Sequence, residues 1–164
     1  MNDQAFSGQP FRRLIWLLPA AFALHIAEEY LGGFPAWVTN VVGGSFNNLA
    51  FAINNAVFMT LMLTLTAWTS KSGSRRSAFL LIVWASGNIF WDGLFHVLMT
   101  AAKDRFSPGL ISSSILYMPI SLVVGWSCVQ SRTLSVAAFI GAALCGLALF
   151  AFVVWYGLFH FALP

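Results

Sequence analysis

Long apolar runs alternate with short polar breaks along the whole chain. Five runs have about the 20 residues that a helix needs to cross the roughly 30 Å hydrocarbon core of a bilayer. The breaks carry turn residues and are too short to hold another domain, so the pattern predicts an all-α fold, a bundle of five transmembrane helices forming a single domain over residues 1–164. The predicted spans are 14–31, 46–69, 78–101, 110–130 and 134–161.

Composition excludes a water-soluble globular protein. Of the 164 residues, 59% are hydrophobic and 8% are charged, whereas a soluble domain has about 25% charged residues. The eight Lys and Arg residues are scattered between apolar runs, and nucleic-acid binding would require a basic patch on a solvated face. We therefore expect an integral membrane protein that does not bind nucleic acid.

The basic residues are distributed unequally between the two sides of the predicted bundle. Because cytoplasmic loops carry an excess of Lys and Arg, the side with six of them is expected to be cytoplasmic. This places the N-terminus in the cytoplasm and the C-terminus outside it, and the short loops favour a bacterial inner membrane. The six residues are Arg12, Arg13, Lys71, Arg75, Arg76 and Arg132.

Three of the five acidic residues lie inside predicted spans: Glu28, Glu29 and Asp92. An acid at the centre of a membrane helix costs about 2.5–3.5 kcal/mol on insertion scales, so three of them require an explanation. His25 lies three and four residues before the glutamates, and His96 lies four residues after Asp92, so each histidine shares a helix face with an acid. This pattern indicates a functional site within the membrane.

Other polar residues of the spans fall at a similar depth, in the outer half of the bilayer. At about 1.5 Å of rise per residue, His25 lies about 18 Å and His96 about 30 Å from the cytoplasmic ends of their helices. His160 comes out at about 42 Å and is expected at the mouth of the site. The candidates from this layer for binding substrate or supporting the site are Asn54, Asn55, Asn88 and Tyr117. Ser112 to Ser114 fall at the same depth, and we expect a structural role for them.

Two imidazoles and carboxylates in a dry site are ligands for a divalent metal ion, with zinc as our first choice and iron or manganese as alternatives. Adjacent helical residues point about 100° apart, so Glu28 and Glu29 cannot easily share one ion. We expect His25, Glu29, Asp92 and His96 to hold the metal. Glu28 is then expected to be the catalytic residue that moves the proton.

The sequence also resembles a known family. His25-Ile26-Ala27-Glu28-Glu29 in the first hydrophobic segment resembles the family of small integral membrane proteins named for its HxxEE motif. The Asn88 and Asp92 pair and the Pro108-Gly109 turn are similar to that family's later pattern. The family carries a general label of unknown function, so the resemblance implies the choice of His25, Glu28, Glu29 and Asp92 as site residues without implying a reaction.

The pattern favours a membrane-embedded metal-dependent hydrolase acting on a lipid or other apolar substrate. One alternative is a metal-free isomerase or cyclase of a sterol-like or isoprenoid-like substrate, in which protonated acids and aromatic faces stabilise a carbocation. Others are a transporter of protons or metal ions and a subunit without chemistry of its own.

Small residues recur at four-residue spacing along the fifth run. Such residues let helix backbones approach closely in lipid, so this run predicts a packing face and a possible route to an oligomer. The two sets are Ala137, Gly141 and Cys145, and Ala138, Ala142 and Gly146.

Overall fold

A computed structural model of the chain describes residues 9–160, and these residues form helices joined by turns and short irregular segments. Within these residues, five helices are long and apolar enough to cross a membrane, which confirms the predicted all-α fold. The last position of the predicted fifth span, residue 161, lies outside the described residues. The helices are α1 (Pro10–Gly32), α2 (Asn48–Ser72), α3 (Arg75–Lys103), α4 (Leu110–Gln130) and α5 (Val136–Leu158).

Capping residues set several helix ends that the apolar pattern places a few residues away. The side chain of Asn47 accepts a hydrogen bond from the amide of Ala50, so α2 begins at Asn48 and not at 46. Ser74 accepts from the amide of Ser77, so α3 begins at Arg75, three residues before the predicted start. The polar first turn of α3 is thus helical although it adds nothing to the hydrophobic run.

Helix α3 lies at the centre of the bundle and packs against α2, α4 and α5, while α1 packs against α2 and α4. Many large apolar side chains on the outer faces are exposed, such as Leu24, Leu31, Ile115 and Trp126. In a membrane these side chains contact lipid, so their exposure carries no penalty.

Helices α3 and α5 make a close contact at Gly146. A Cβ atom on Gly146 would lie 2.7 Å from the carbonyl oxygen of Val83 and 2.9 Å from the amide nitrogen of Gly87. Of the two small-residue sets of α5, the one containing Ala142 and Gly146 is thus buried against α3. In the other set Cys145 is exposed, and a Cβ on Gly141 would meet nothing within 4 Å.

The segment between α1 and α2 is more structured than a simple break. It contains a short helix (Phe34–Trp37) and a π-helical turn (Val38–Val42). The amide of Ser45 donates a hydrogen bond of 2.7 Å to the carbonyl of Leu158 at the end of α5. Phe34 and Phe46 are buried, so this segment, called here the 33–47 cover, closes one end of the bundle.

Three π-helical turns lie within the described spans. One (Val154–Leu158) ends α5, and the other two lie beside residues of the predicted site. Of these two, one (Ser86–Trp91) immediately precedes Asp92 in α3, and the other (Ser113–Tyr117) precedes Pro119 in α4. A proline lacks the amide that continues a regular helix, and π turns in membrane helices re-pair the freed backbone groups. Such turns often occur at functional sites because they redirect side chains.

Candidate metal centre

Four side chains from α1 and α3 converge below the 33–47 cover: His25 and Glu29 from α1, and Asp92 and His96 from α3. His25 Nε2 lies 3.6 Å from Glu29 Oε1 and 3.3 Å from Asp92 Oδ2. His96 Nε2 lies 3.5 Å from the same oxygen of Glu29 and 3.7 Å from the same oxygen of Asp92. Each imidazole therefore faces both carboxylates.

The Nε2 atoms of both histidines are buried, and neither has a hydrogen-bond partner within residues 9–160. Glu29 is also buried, with its side chain 8% exposed, whereas the side chain of Asp92 is 26% exposed. Buried polar atoms are usually paired, and buried carboxylates require a positive partner. The cluster therefore has the donor atoms and the charge of a cation site.

The other ring nitrogen of each histidine is held by a serine. His25 Nδ1 lies 2.8 Å from Ser112 Oγ, and His96 Nδ1 lies 2.9 Å from Ser107 Oγ. The hydroxyl of Ser112 donates to the carbonyl of Gly109, so its oxygen accepts a hydrogen bond from Nδ1–H of His25. A neutral His25 then has its lone pair on Nε2, the atom that faces the carboxylates.

Gly109 packs against both imidazole rings. Its φ angle is +101°, and a Cβ atom at this position would lie 2.6 Å from Cε1 of His25 and 2.7 Å from Cε1 of His96. Glycine satisfies both the positive φ angle and the lack of space. The preceding residue, Pro108, would clash in the same way with a side chain at Gly32, the last residue of α1.

The donor atoms of His25, Glu29 and His96 lie close enough together to hold one metal ion. Zinc, for example, binds nitrogen and oxygen ligands at about 2.0–2.2 Å in a tetrahedral arrangement, which separates neighbouring ligands by about 3.3–3.6 Å. The four nitrogen-to-oxygen distances of the cluster, 3.3 to 3.7 Å, are close to this range. One ligand atom each from His25, Glu29 and His96 lies within 4.8 Å of the other two. These residues could hold a metal, with Asp92 beside them.

Glu28 has a different environment from the other residues of the motif. Its two carboxylate oxygens accept hydrogen bonds from the amides of Ile111, at 3.0 Å, and Ser112, at 2.6 Å. These amides belong to the first turn of α4, where a helix leaves its amides unpaired and attracts negative charge. Glu28 thus joins α1 to α4, and its expected role in proton transfer stays a prediction.

A narrow cavity of about 70 Å³ lies beside the cluster and is lined in part by His25, Glu29 and Asp92. The three asparagines predicted from depth, Asn54, Asn55 and Asn88, also line it. Much of the remaining lining is aromatic: Phe22, Phe34, Phe46, Phe51, Phe58, Phe95 and Phe150. The cavity thus combines amides and apolar surface next to the candidate ligands.

The remaining predicted residues are divided between the cluster and the surface. Tyr117 is fully buried, and its ring stacks on His25 with 4.3 Å between ring centroids. Its hydroxyl has no hydrogen-bond partner in the described part of the chain. Ser113 is buried whereas Ser114 is exposed. His160 is exposed, and its Nδ1 lies 2.8 Å from the carbonyl oxygen of Trp155, away from the lining of the cavity.

Comparison with known families agrees with the motif at the centre of this cluster. The model of the family described as "protein of unknown function with HXXEE motif" matches residues 16–124, a stretch that includes α2, α3 and most of α1 and α4. The chain belongs to this family. Its motif residues in this chain are His25, Glu28 and Glu29. No curated protein and no solved structure matches the chain.

Sequence reasoning did not identify Ser107 and Gly109 as parts of the site. Both are polar or small loop residues between α3 and α4, and residues of this kind are common in turns. The signal for Gly109 was its place in the Pro108-Gly109 turn of the family pattern. Its contact with both imidazole rings depends on the packing of α1 against α4 and is not visible in the local sequence.

Proposed function

We propose that this protein is a membrane-embedded, metal-dependent hydrolase that acts on a lipid or other apolar substrate. The proposal rests on one observation above all: two buried, unpartnered Nε2 atoms face two carboxylates at metal-ligand spacing. The proposed ligands are His25, Glu29, Asp92 and His96. Zinc is the proposed ion, and iron or manganese would suit the same donors.

The proposed reaction is cleavage of an acyl bond by water. A divalent ion in this cluster would polarise the substrate carbonyl and acidify a bound water molecule. The water oxygen forms a bond to the carbonyl carbon while the bond to the leaving oxygen or nitrogen breaks. The water proton passes to a carboxylate and then to the leaving group, so the atoms and charges balance.

Asp92 is better placed than Glu28 to carry that proton. It is the more exposed of the two carboxylates in the cluster and lines the cavity, and only its Oδ2 faces the imidazoles. Both oxygens of Glu28 are engaged by backbone amides. In the proposal Asp92 would help to hold the ion and would accept the proton on Oδ1, while Glu28 holds α4 in position.

The proposed site lies in the outer half of a bacterial inner membrane, with the N-terminus in the cytoplasm. This orientation is supported by the basic residues, six of which lie at the end of the bundle opposite the cluster. A substrate would then approach from the bilayer or from the outer face.

Hydrolysis by the purified protein tests this function. We expect a medium-chain aryl ester in detergent to be cleaved, chelation to abolish the activity and zinc to restore it. Asp92→Asn should lower kcat by about 10²-fold or more, the range typical of a lost general base. If the metal-loaded protein cleaves neither esters nor amides of medium-chain acids, it is not a hydrolase of this kind.

A further inference from the structure

The cavity beside the metal centre lies between two helices that do not form a main packing pair. Helix α2 packs chiefly on α3 and α1, and α5 packs chiefly on α3. One wall of the cavity is formed by α2, through residues such as Asn54 and Phe58, and the facing wall by α5, through residues such as Val153 and Val154. Asn54, Val153 and Val154 are only partly buried, and because both helices span the membrane, the part of these side chains that is exposed in the gap between them faces lipid.

The outer end of this gap is closed by the 33–47 cover. Ser45 is hydrogen-bonded through its amide to the carbonyl of Leu158 and through its hydroxyl to the carbonyl of Phe159. Phe34 and Phe46 of the cover form part of the cavity lining. The cover thus separates the cavity from the aqueous end of the bundle, and the side facing lipid is the more direct route to the metal centre.

The asparagine side chains that line the cavity differ in their hydrogen bonds to the rest of the protein. Asn88 Nδ2 donates to the carbonyl of Trp84, and Asn55 Nδ2 donates to the carbonyl of Phe51. No hydrogen bond joins the side chain of Asn54 to another group within residues 9–160. An amide left unpaired in apolar surroundings costs about 1–3 kcal/mol, so this lining favours a ligand with uncharged hydrogen-bonding groups.

The charge of the site also favours an uncharged substrate. The charged residues lining the cavity are Glu29 and Asp92, and the lining contains no Lys or Arg among the described residues. A divalent ion bound by two carboxylates and two neutral imidazoles has a net charge of zero. An anionic phosphate headgroup would therefore find no basic partner, whereas a neutral carbonyl or hydroxyl could be bound by the asparagines.

We infer that the substrate is an uncharged lipid ester that enters from the bilayer between α2 and α5. Its ester and hydroxyl groups are bound by the asparagines beside the metal centre, and its acyl chain extends along the gap between α2 and α5 into the bilayer, because a cavity of about 70 Å³ holds only part of a lipid. This inference rests on the proposed function for the reaction, but the route and the preference for a neutral headgroup follow from the cavity.

Photolabelling of the purified full-length protein tests the inference. The probe is a monoacylglycerol with a diazirine in its acyl chain, and the comparison probe is the lysophosphatidic acid with the same chain. We expect the neutral probe to label α2 and α5 residues of the cavity about tenfold more than the anionic probe does, which corresponds to about 1.4 kcal/mol.

Two variants and a matched control locate the labelling. Val154→Trp fills the gap and should abolish labelling of the cavity, and Asn54→Leu should reduce it without filling the gap. The control, Val136→Trp, places the same side chain in a separate apolar groove between α3, α4 and α5 and should leave the labelling unchanged. If Val154→Trp does not fold, Asn54→Leu carries the test alone.

Metal content measured on the same samples separates the two proposals. The inference would be wrong if the protein binds metal but labelling is spread over the whole lipid-facing surface, or if both probes label it equally. Either result would still support the metal centre. Cavity labelling by the neutral probe in a protein that binds no metal would overturn the proposed function and support the route.

Discussion

At the residue scale, His25 and His96 use their two ring nitrogens for different purposes. Each Nδ1 is paired with a serine hydroxyl, and each Nε2 faces the carboxylates of Glu29 and Asp92. Removing a residue that hydrogen-bonds the second ring nitrogen of a metal-binding histidine typically lowers metal affinity by about 10- to 100-fold. The geometry of the centre thus depends on residues outside the motif, including Gly109 between the rings.

Gly109→Ala is expected to weaken metal binding by about 10- to 100-fold, the range for loss of a supporting residue, because the new methyl group would displace both imidazoles. Isothermal titration of the metal-free protein with zinc measures this. Gly43→Ala is the control, since Gly43 also has a positive φ angle, +88°, but open space around it. Equal losses in both variants would attribute the effect to backbone strain and contradict the proposed contact.

The pairing of the candidate ligands on each helix could be predicted from the sequence because helical spacing is local. His25 and Glu29, and likewise Asp92 and His96, are four residues apart and share a helix face. The partner of His25, Ser112, is 87 residues away, and only tertiary packing selects it among the three consecutive serines of α4. Glu28 lies next to Glu29 in the chain, but its carboxylate is bound by amides of α4. The local sequence does not predict this partner either.

At the element scale, the joint between α1 and α4 depends on Glu28. Glu28→Gln is expected to lower the free energy of unfolding by about 1–2 kcal/mol, because a charged acceptor is lost at the first turn of α4. Metal content should be unchanged, whereas the control Glu29→Gln should lose metal. A hundredfold loss of activity at unchanged stability would instead assign proton transfer to Glu28.

The contact between α3 and α5 sets the position of Asp92 and His96 relative to the cavity wall. Gly146→Ala is expected to destabilise the protein by about 1–3 kcal/mol through overpacking against Val83 and Gly87. Thermal unfolding in detergent measures the change. Gly141→Ala should leave the melting temperature unchanged or raise it slightly, since its Cβ meets nothing and alanine favours the helix. A comparable loss of stability in both variants would contradict this packing.

The elements were predictable to the extent that hydrophobicity defines them. All five spans follow from the apolar runs, but the starts of α2 and α3 depend on the caps Asn47 and Ser74. The sequence predicts most of the 33–47 cover only as a break between spans. Its apolar residues are too few to show the hydrophobic periodicity that predicts a helix. Its role at the cavity follows from hydrogen bonds to the end of α5.

At the scale of the whole molecule, the two ends of the bundle differ in chemistry. At one end Arg12 donates hydrogen bonds to the carbonyls of Ser70 and Lys71 at the end of α2, where the helix dipole favours positive charge. Towards the other end lie the candidate metal centre, its cavity and the 33–47 cover. The basic residues and the candidate metal centre thus lie towards opposite ends of the bundle.

The metal content of the purified protein tests the central claim most directly. A chain without a histidine tag should bind about one equivalent of zinc, iron or manganese, since the cluster offers one set of ligands. His25→Ala and His96→Ala should each lose it, and His160→Ala should retain it because that histidine lies outside the cluster. Absence of metal from the reconstituted wild type, or unchanged metal in His25→Ala and His96→Ala, would contradict the account.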